Sequence, residues 1–175
     1  MLISVDKAKT LIDLNGWTDE KIEMKLKAVE QTIRAYTNNN FQNRGIRGEF
    51  AVENGELVGV TDGFAVGDTI QISESRFNNG LYVVESMDEE TIITDSTLID
   101  DSGVLVTKVE YPADVIACCV NLMEWELANR GKVGIQSETL SRHSVTYYNM
   151  GASDQVMGYP ISLLGCLKAY RKARC

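Results

Sequence analysis

Apolar residues recur at steps of three and four along several stretches of the chain, and this spacing predicts amphipathic helices. The clearest helix covers residues 19–37, with Thr18 as its N-cap. A second covers residues 112–131, where proline begins the helix and glycine ends it. Shorter helices are predicted over about residues 5–14 and from Pro160 onward.

The pattern changes between residues 46 and 109, where short alternating runs are separated by glycine, asparagine and aspartate. Alternation with a period of two predicts strands. Asn54-Gly55 and Asn79-Gly80 are typical of tight turns. Six strands are predicted, near residues 48–53, 56–60, 69–73, 81–87, 91–94 and 104–110. They favour a small closed barrel of the SH3-like kind, because closure removes exposed strand edges.

The two patterns together predict an α+β fold. It consists of a small helical bundle of three to four helices plus an extended arm, with an inserted SH3-like small β-barrel. The helical domain takes residues 1–45 and 110–175, and the barrel domain takes residues 46–109. The arm covers residues 138–149, which are polar, β-branched and aromatic rather than helix-forming.

Composition and charge narrow the classes of function. Of the 175 residues 44% are hydrophobic, and no apolar run approaches the roughly 18–20 residues that span a bilayer. We therefore expect no membrane partner, and the first residues lack the pattern of a signal peptide. The formal net charge of −8 argues against tight nucleic-acid binding, because neutralising phosphates requires clustered lysine and arginine. The same charge suits a surface past which DNA slides without sticking.

Residues with potential chemistry do not form a catalytic or metal-binding pattern. His143 is the only histidine and is followed by a serine, but neighbouring strand residues point to opposite faces, so local geometry does not make it a general base. The acidic pairs at residues 89–90 and 100–101 fall in predicted turns, where solvated charge is the usual explanation. The four cysteines lack zinc-ligand or disulfide spacing. The sequence therefore predicts no catalytic residue, no metal and no cofactor.

One basic run stands out in this acidic chain, at Lys168, Arg171, Lys172 and Arg174. Positive charge near a helix C-terminus is favourable in itself, because it complements the helix dipole. The same run is also suited to contacting a partner's carboxylates or DNA phosphates. The sequence leaves both interpretations open.

Three segments, in this order and at this spacing, resemble the phage head-tail connector (adaptor) family. They are residues 36–44, 137–150 and 158–174. The resemblance covers about 110 residues, the predicted helical part, and the β-domain is interpreted as an insertion. The family pattern has a proline and a terminal aromatic residue where this chain has Ala169 and Cys175, so the resemblance extends to the last segment as a region and not to its individual contacts.

The resemblance implies a non-enzymatic structural virion protein. Such a protein binds the portal after DNA packaging, extends the DNA channel, and provides the docking site for stopper or tail proteins. It implies a homo-oligomeric ring, commonly twelve-fold on the portal, although an isolated chain can be a monomer. Phage DNA would pass through the channel without sequence-specific binding. The implied location is the virion, at the head-tail interface, after assembly in the host cytoplasm.

The resemblance and the residue types together assign two interfaces. We expect the subunit interface at Arg142, His143, Val145, Tyr147 and Tyr148, and the portal interface at Lys168, Tyr170, Arg171, Lys172 and Arg174. Two alternatives stay open at this stage. One is a stopper or tail-completion protein, and the other is an enzyme or ligand-binding protein that uses the small barrel.

Overall fold

The computed structural model describes residues 1–14, 16–129, 137–140, 143–146 and 155–173. The chain divides into two units. The barrel unit comprises Met1 and Asn40–Tyr111, and the helical unit comprises Leu2–Asn39 and Pro112–Cys175.

Local capping signals set the ends of the longest helix. The helices are α1 (Val5–Leu11), α2 (Asp19–Thr37) and α3 (Ala113–Asn129). The backbone N–H of Lys21 donates to the Thr18 hydroxyl at 3.4 Å, which satisfies one otherwise unpaired amide at the start of α2. Asn38 ends α2 in the left-handed conformation, with φ 49°. The predicted bounds of α2 are therefore confirmed.

Six antiparallel strands close into a barrel in the order β1-β2-β5-β4-β3-β6. They are β1 (Gln42–Glu53), β2 (Glu56–Gly59), β3 (Thr69–Ser73), β4 (Gly80–Met87), β5 (Thr91–Thr94) and β6 (Asp101–Val109). The six predicted strands are confirmed, although β1 begins earlier than expected. Asn54 and Gly55 both have positive φ, as a two-residue hairpin turn requires. Asn79 instead closes a longer loop, where its side-chain oxygen accepts from the Ser75 N–H at 3.1 Å.

Apolar side chains fill the barrel. Every second residue of each strand points inward, and the enclosed set is Phe50, Val52, Leu57, Phe64, Ile70, Ile72, Val84, Ile92, Leu98, Val104 and Val106. The rings of Phe50 and Phe64 pack edge to face with centroids 5.9 Å apart. This interior is a packed core.

The helical unit has its own core between α2, α3 and a 3-10 helix (Ile161–Tyr170). Leu164 and Leu167 of the 3-10 helix are fully buried. The Cys118 thiol of α3 donates to the Leu163 carbonyl at 3.4 Å. Ten residues are long for a 3-10 helix, and we attribute its persistence to this packing.

Two short hairpins accompany the helices. Strands β7 (Ser137–Leu140) and β8 (His143–Thr146) pair with each other, as do β9 (Gln155–Val156) and β10 (Tyr159–Pro160). Residues 138–149 were expected to form a single extended arm. Where the structure describes this segment, residues 138–140 and 143–146 belong to paired strands instead, so their main-chain groups bond within the hairpin.

The predicted helical bundle with an extended arm and an SH3-like barrel is wrong, although the α+β class is compatible with the structure. In the described residues, the helical unit holds three α-helices, of which α1 has seven residues, and two hairpins. The last helix is not α-helical. The apolar spacing fits both helix types, because positions 161, 164 and 167 are three residues apart whereas Leu163 and Leu167 are four apart. The 3-10 form is therefore set by packing of Leu164 and Leu167 in the core of the helical unit. The barrel is a closed six-stranded structure whose order is not sequential, because β6 pairs with both β1 and β3.

Candidate interaction surfaces

The C-terminal segment is hydrogen-bonded to the end of α2. The backbone N–H of Lys172 donates to the Thr37 carbonyl at 2.8 Å. The Asn38 side chain donates to the Ala173 carbonyl at 2.8 Å, and the Asn39 side chain donates to the Tyr170 carbonyl at 3.2 Å. These bonds join residues more than 130 positions apart in the sequence. They fix the backbone that carries the basic run.

The basic side chains of this segment lie at the surface. Lys168, Arg171 and Lys172 are exposed, and the Arg171 guanidinium lies 5.2 Å from the centre of the Tyr36 ring. Four of the five predicted portal residues therefore share one ordered stretch, and Arg174 lies outside the described residues. Their charge also lies near the negative end of the α2 dipole, so the favourable-charge interpretation still applies.

Tyr170 has a different environment from the basic residues. Its hydroxyl lies 2.7 and 2.8 Å from the two carboxylate oxygens of Asp114 at the start of α3. This hydrogen bond to Asp114 raises the pKa of Tyr170, because ionisation would remove the donated proton. The hydroxyl therefore anchors the segment to α3.

The β7–β8 hairpin carries two of the predicted subunit-contact residues. His143 pairs with Leu140, and Val145 pairs with Glu138. Arg142, Tyr147 and Tyr148 lie outside the described residues. Within the described part of the chain, neither strand pairs with a third. An isolated two-stranded hairpin is only marginally stable in water, and an unpaired edge is a template for another strand.

A buried polar cluster ties α2, α3 and β10 together, and sequence reasoning missed it. Glu126 is 4% exposed; one carboxylate oxygen accepts from the Tyr159 hydroxyl at 2.8 Å, and the other lies 3.2 Å from the Lys25 ammonium. The Tyr159 ring also packs against Trp125 with centroids 5.4 Å apart. A signal was present, because position 126 continues the apolar 115-119-122 stripe of α3.

The two units carry opposite net charge. Met1 and residues 40–111 contain 14 acidic and four basic residues, a formal charge of −10. The remaining 11 acidic and 13 basic residues give the helical unit +2, which restores the total of −8. The acidic character that the composition indicated therefore belongs to the barrel.

The acidic pairs and the thiols have structural explanations. Glu89 and Glu90 are exposed in the β4–β5 turn. Asp88, beside them, accepts from the backbone N–H groups of Glu90 and Thr91, which lowers its pKa. Asp101 accepts from the Ser75 hydroxyl at 2.7 Å, and this hydrogen bond makes the largest contribution to lowering the pKa of Asp101. Cys118 and Cys119 are buried, and burial raises the pKa of Cys119 to about 12. Among the described side chains, no group of His, Cys, Asp and Glu is arranged to hold a metal ion.

Comparison with known proteins adds no relative. Neither a scan against protein-family models nor a search of curated proteins finds a match to this sequence. Among the helices built from described residues, none is long and apolar enough to cross a membrane.

Proposed function

We propose that this chain is a structural virion protein, a head-tail connector that binds the portal after DNA packaging and receives the stopper or tail. The observation that carries the proposal is the hydrogen bonding between two of the three resembling segments. Residues 37–39 and 170–173, from nearly opposite ends of the chain, form one ordered surface with exposed basic side chains. Segments that resemble a family in sequence and also meet in space support the proposal more strongly than either segment alone.

The proposed portal contact uses this basic surface. Lys168, Arg171 and Lys172 are exposed on a backbone fixed by α2, so few main-chain degrees of freedom are lost on docking. Guanidinium and ammonium groups pair with carboxylates, and exposed charges of this kind govern association rate and orientation. The portal surface that receives them would be acidic.

The proposed subunit contact uses strand addition at the β7–β8 hairpin. Two residues connect the strands, so the pair nearest the connection, Leu140–His143, exchanges hydrogen bonds, and pairs alternate from there. The N–H of Val145 then bonds within the hairpin, whereas the N–H groups of Ser144 and Thr146 face away from β7. A neighbouring subunit can add a strand at this outer edge and so close a head-to-tail ring.

Passage of DNA fits the charge distribution. The barrel unit carries a formal charge of −10, and carboxylates repel phosphates at short range. A surface of this kind would favour transit of DNA over retention.

Co-isolation with capsids tests the proposal. Purified chain is mixed with portal-bearing, DNA-filled, tail-less capsids, the particles are re-isolated, and bound mass is measured by light scattering and gel densitometry. Several copies per particle are expected, whether or not the isolated chain is a monomer. Binding to isolated tails but not to capsids would contradict the connector assignment. Absence of binding to both would refute the proposed role at the head-tail interface.

Proline variants test the hairpin separately. Val145→Pro should break the β7–β8 ladder, and Ser144→Pro should leave that ladder intact while blocking the outer edge. Both should reduce the number of bound copies while the intrinsic tryptophan fluorescence stays native. Normal assembly of both variants would rule out strand addition as the subunit contact, but it would not contradict the proposed binding to capsids.

Charge reversal tests the portal contact. The Lys168→Glu/Lys172→Glu double variant should lose capsid binding, and Lys7→Glu, an exposed lysine on α1, should retain it. Equal behaviour of the two variants would show that the basic surface is not the contact.

A further inference from the structure

The barrel end formed by the β1–β2, β3–β4 and β5–β6 connections exposes two large apolar side chains. Phe77, in the β3–β4 loop, is 54% exposed, and Ile99, in the β5–β6 loop, is 57% exposed. The other three phenylalanines of the chain, Phe41, Phe50 and Phe64, are each at least 92% buried. The antiparallel strand order places this end opposite the one where β1 begins and β6 ends.

The loops that carry Phe77 and Ile99 are tied to each other by buried polar groups. The Asn78 side chain donates to the Ile99 carbonyl at 2.7 Å and accepts from the Ile99 N–H at 2.9 Å. The buried Ser75 hydroxyl accepts from the N–H groups of Phe77 and Asn78 at 3.2 and 2.8 Å, and donates to Asp101. Asp101 also accepts from the Arg76 N–H at 2.8 Å.

These bonds hold both apolar side chains outward. Asn78 is 3% exposed and Ser75 is 7% exposed, so rotating Phe77 into the core would leave buried polar groups without their partners, which is costly. The Arg76 guanidinium lies 5.0 Å from the Phe77 ring centre, and arginine and aromatic residues are enriched at binding hot spots. A fixed backbone also lowers the entropy lost on binding.

The charged residues around Phe77 and Ile99 indicate which kind of partner this surface would bind. Residues 53–56, 74–79 and 95–102 contain one cationic side chain, Arg76, and six carboxylates, at Glu53, Glu56, Glu74, Asp95, Asp100 and Asp101. This surface would repel nucleic-acid phosphates and anionic lipid headgroups. It is complementary to a positively charged protein surface, with the apolar pair as a centre and the carboxylates as a polar rim.

We propose that this barrel end is a docking surface for a basic protein segment or face that offers an apolar recess to Phe77 and Ile99. The inference rests on residues 53–56, 74–79 and 95–102 of the barrel unit, which lie outside the three segments of the connector resemblance, so it is independent of the proposed function.

The test uses the full chain and a defined probe, the dye-labelled peptide Lys-Leu-Lys-Leu-Lys-Leu-Lys. Two control peptides replace every leucine by glycine or every lysine by glutamate. Fluorescence anisotropy at low salt should show the first peptide binding at least about tenfold more tightly than either control, since both apolar contact and positive charge are needed.

Variants and a site-specific signal locate the binding. Phe77→Ala and Ile99→Ala should each weaken binding by about tenfold, whereas Val66→Ala, at a residue 62% exposed in the β2–β3 connection at the other end, should not. In chain labelled with 4-fluorophenylalanine, the peptide should shift the fluorine resonance that Phe77→Leu removes. The resonances of Phe41, Phe50 and Phe64 should stay in place and report that the barrel is folded.

Three outcomes would overturn the docking surface. They are equal binding of the glycine control, which indicates charge attraction alone, no binding of any peptide, and an unmoved Phe77 resonance.

Discussion

Replacing Tyr159 by phenylalanine tests how much burial strengthens a hydrogen bond that anchors the C-terminal segment. The change deletes only the hydroxyl that donates to Glu126 at 2.8 Å, and it keeps the ring that packs against Trp125. The chain provides a matched control in Tyr170→Phe, which deletes a hydroxyl at 2.7 Å from Asp114 at the exposed surface. Donor, acceptor type and distance are nearly equal, and the main difference is burial. The second oxygen of Glu126 lies near Lys25, whereas both oxygens of Asp114 lie near the Tyr170 hydroxyl.

The expected magnitude follows from the environment of Glu126. Tyr159 and Glu126 are 5% and 4% exposed, so water cannot replace the lost donor. Hydrogen bonds to charged groups contribute about 1.5–3 kcal/mol, and a buried carboxylate left with fewer donors adds a desolvation cost. We expect Tyr159→Phe to lower the free energy of unfolding of the helical unit by about 2 kcal/mol. Tyr170→Phe should cost clearly less, because water solvates Asp114 when the hydroxyl is removed.

Urea denaturation followed by tryptophan fluorescence measures this difference. Both tryptophans, Trp17 and Trp125, belong to the helical unit, so the signal reports that unit and not the barrel. With an m value of about 2 kcal/mol/M, the midpoint for Tyr159→Phe should fall by about 1 M. A loss below about 0.5 kcal/mol, or equal losses for the two variants, would refute the reasoning that burial makes this bond strong.

Two further predictions concern the barrel. In Gly59→Ala the new Cβ would lie 2.6 Å from Cδ1 of the cross-strand partner Phe50, so the free energy of unfolding of the barrel should fall by about 1–3 kcal/mol. Amide hydrogen exchange in β1 and β2 measures this change, and unchanged protection would contradict the prediction. Asp101→Asn weakens the hydrogen-bond acceptor for Ser75. Folding lowers the pKa of Asp101 below its usual value of 3.8. The ionised carboxylate therefore stabilises the fold above pH 3.8, and this contribution is lost as the pH falls through the pKa of the folded state. Wild type and variant should therefore differ in stability at pH 6 and converge in acid, and a pH-independent difference would show that the charge is not responsible.

The elements that the sequence predicted well are those set by local chemistry. Thr18 and Asn38 mark the ends of α2 because capping and left-handed turns depend on residues within a few positions. Asn54-Gly55 marks a hairpin for the same reason. The type of the last helix, in contrast, does not follow from its apolar spacing. Leu163 and Leu167 are four residues apart and fit an α-helix, whereas Leu164 and Leu167 are three apart and fit the observed 3-10 helix.

The interaction surfaces depend on contacts that no local pattern encodes. The hydrogen bonds from Asn38 and Asn39 span 135 and 131 residues, and the Asn78–Ile99 pair links loops 21 residues apart. A polar residue in a loop predicts a turn. Its identity does not show whether its side chain also donates a hydrogen bond to a carbonyl far away in the sequence. The burial of Glu126 could be suspected from its place on the α3 stripe, but its partners Lys25 and Tyr159 come from elements that only tertiary packing brings together.

The two units differ in the sign of their net charge, and each proposed interaction surface has the sign of the unit that carries it. A basic surface on a unit of charge +2 and an acidic, apolar-centred surface on a unit of charge −10 favour partners of opposite kinds, because like-charge contact is repulsive and suppresses wrong pairings. Net charge averaged over the chain hides this, since −8 alone suggests a uniformly acidic protein. Each unit has its own packed core, so a substitution such as Phe77→Ala can remove one contact without unfolding the unit that makes the other. Binding at the two surfaces can therefore be tested separately in the same full-length chain.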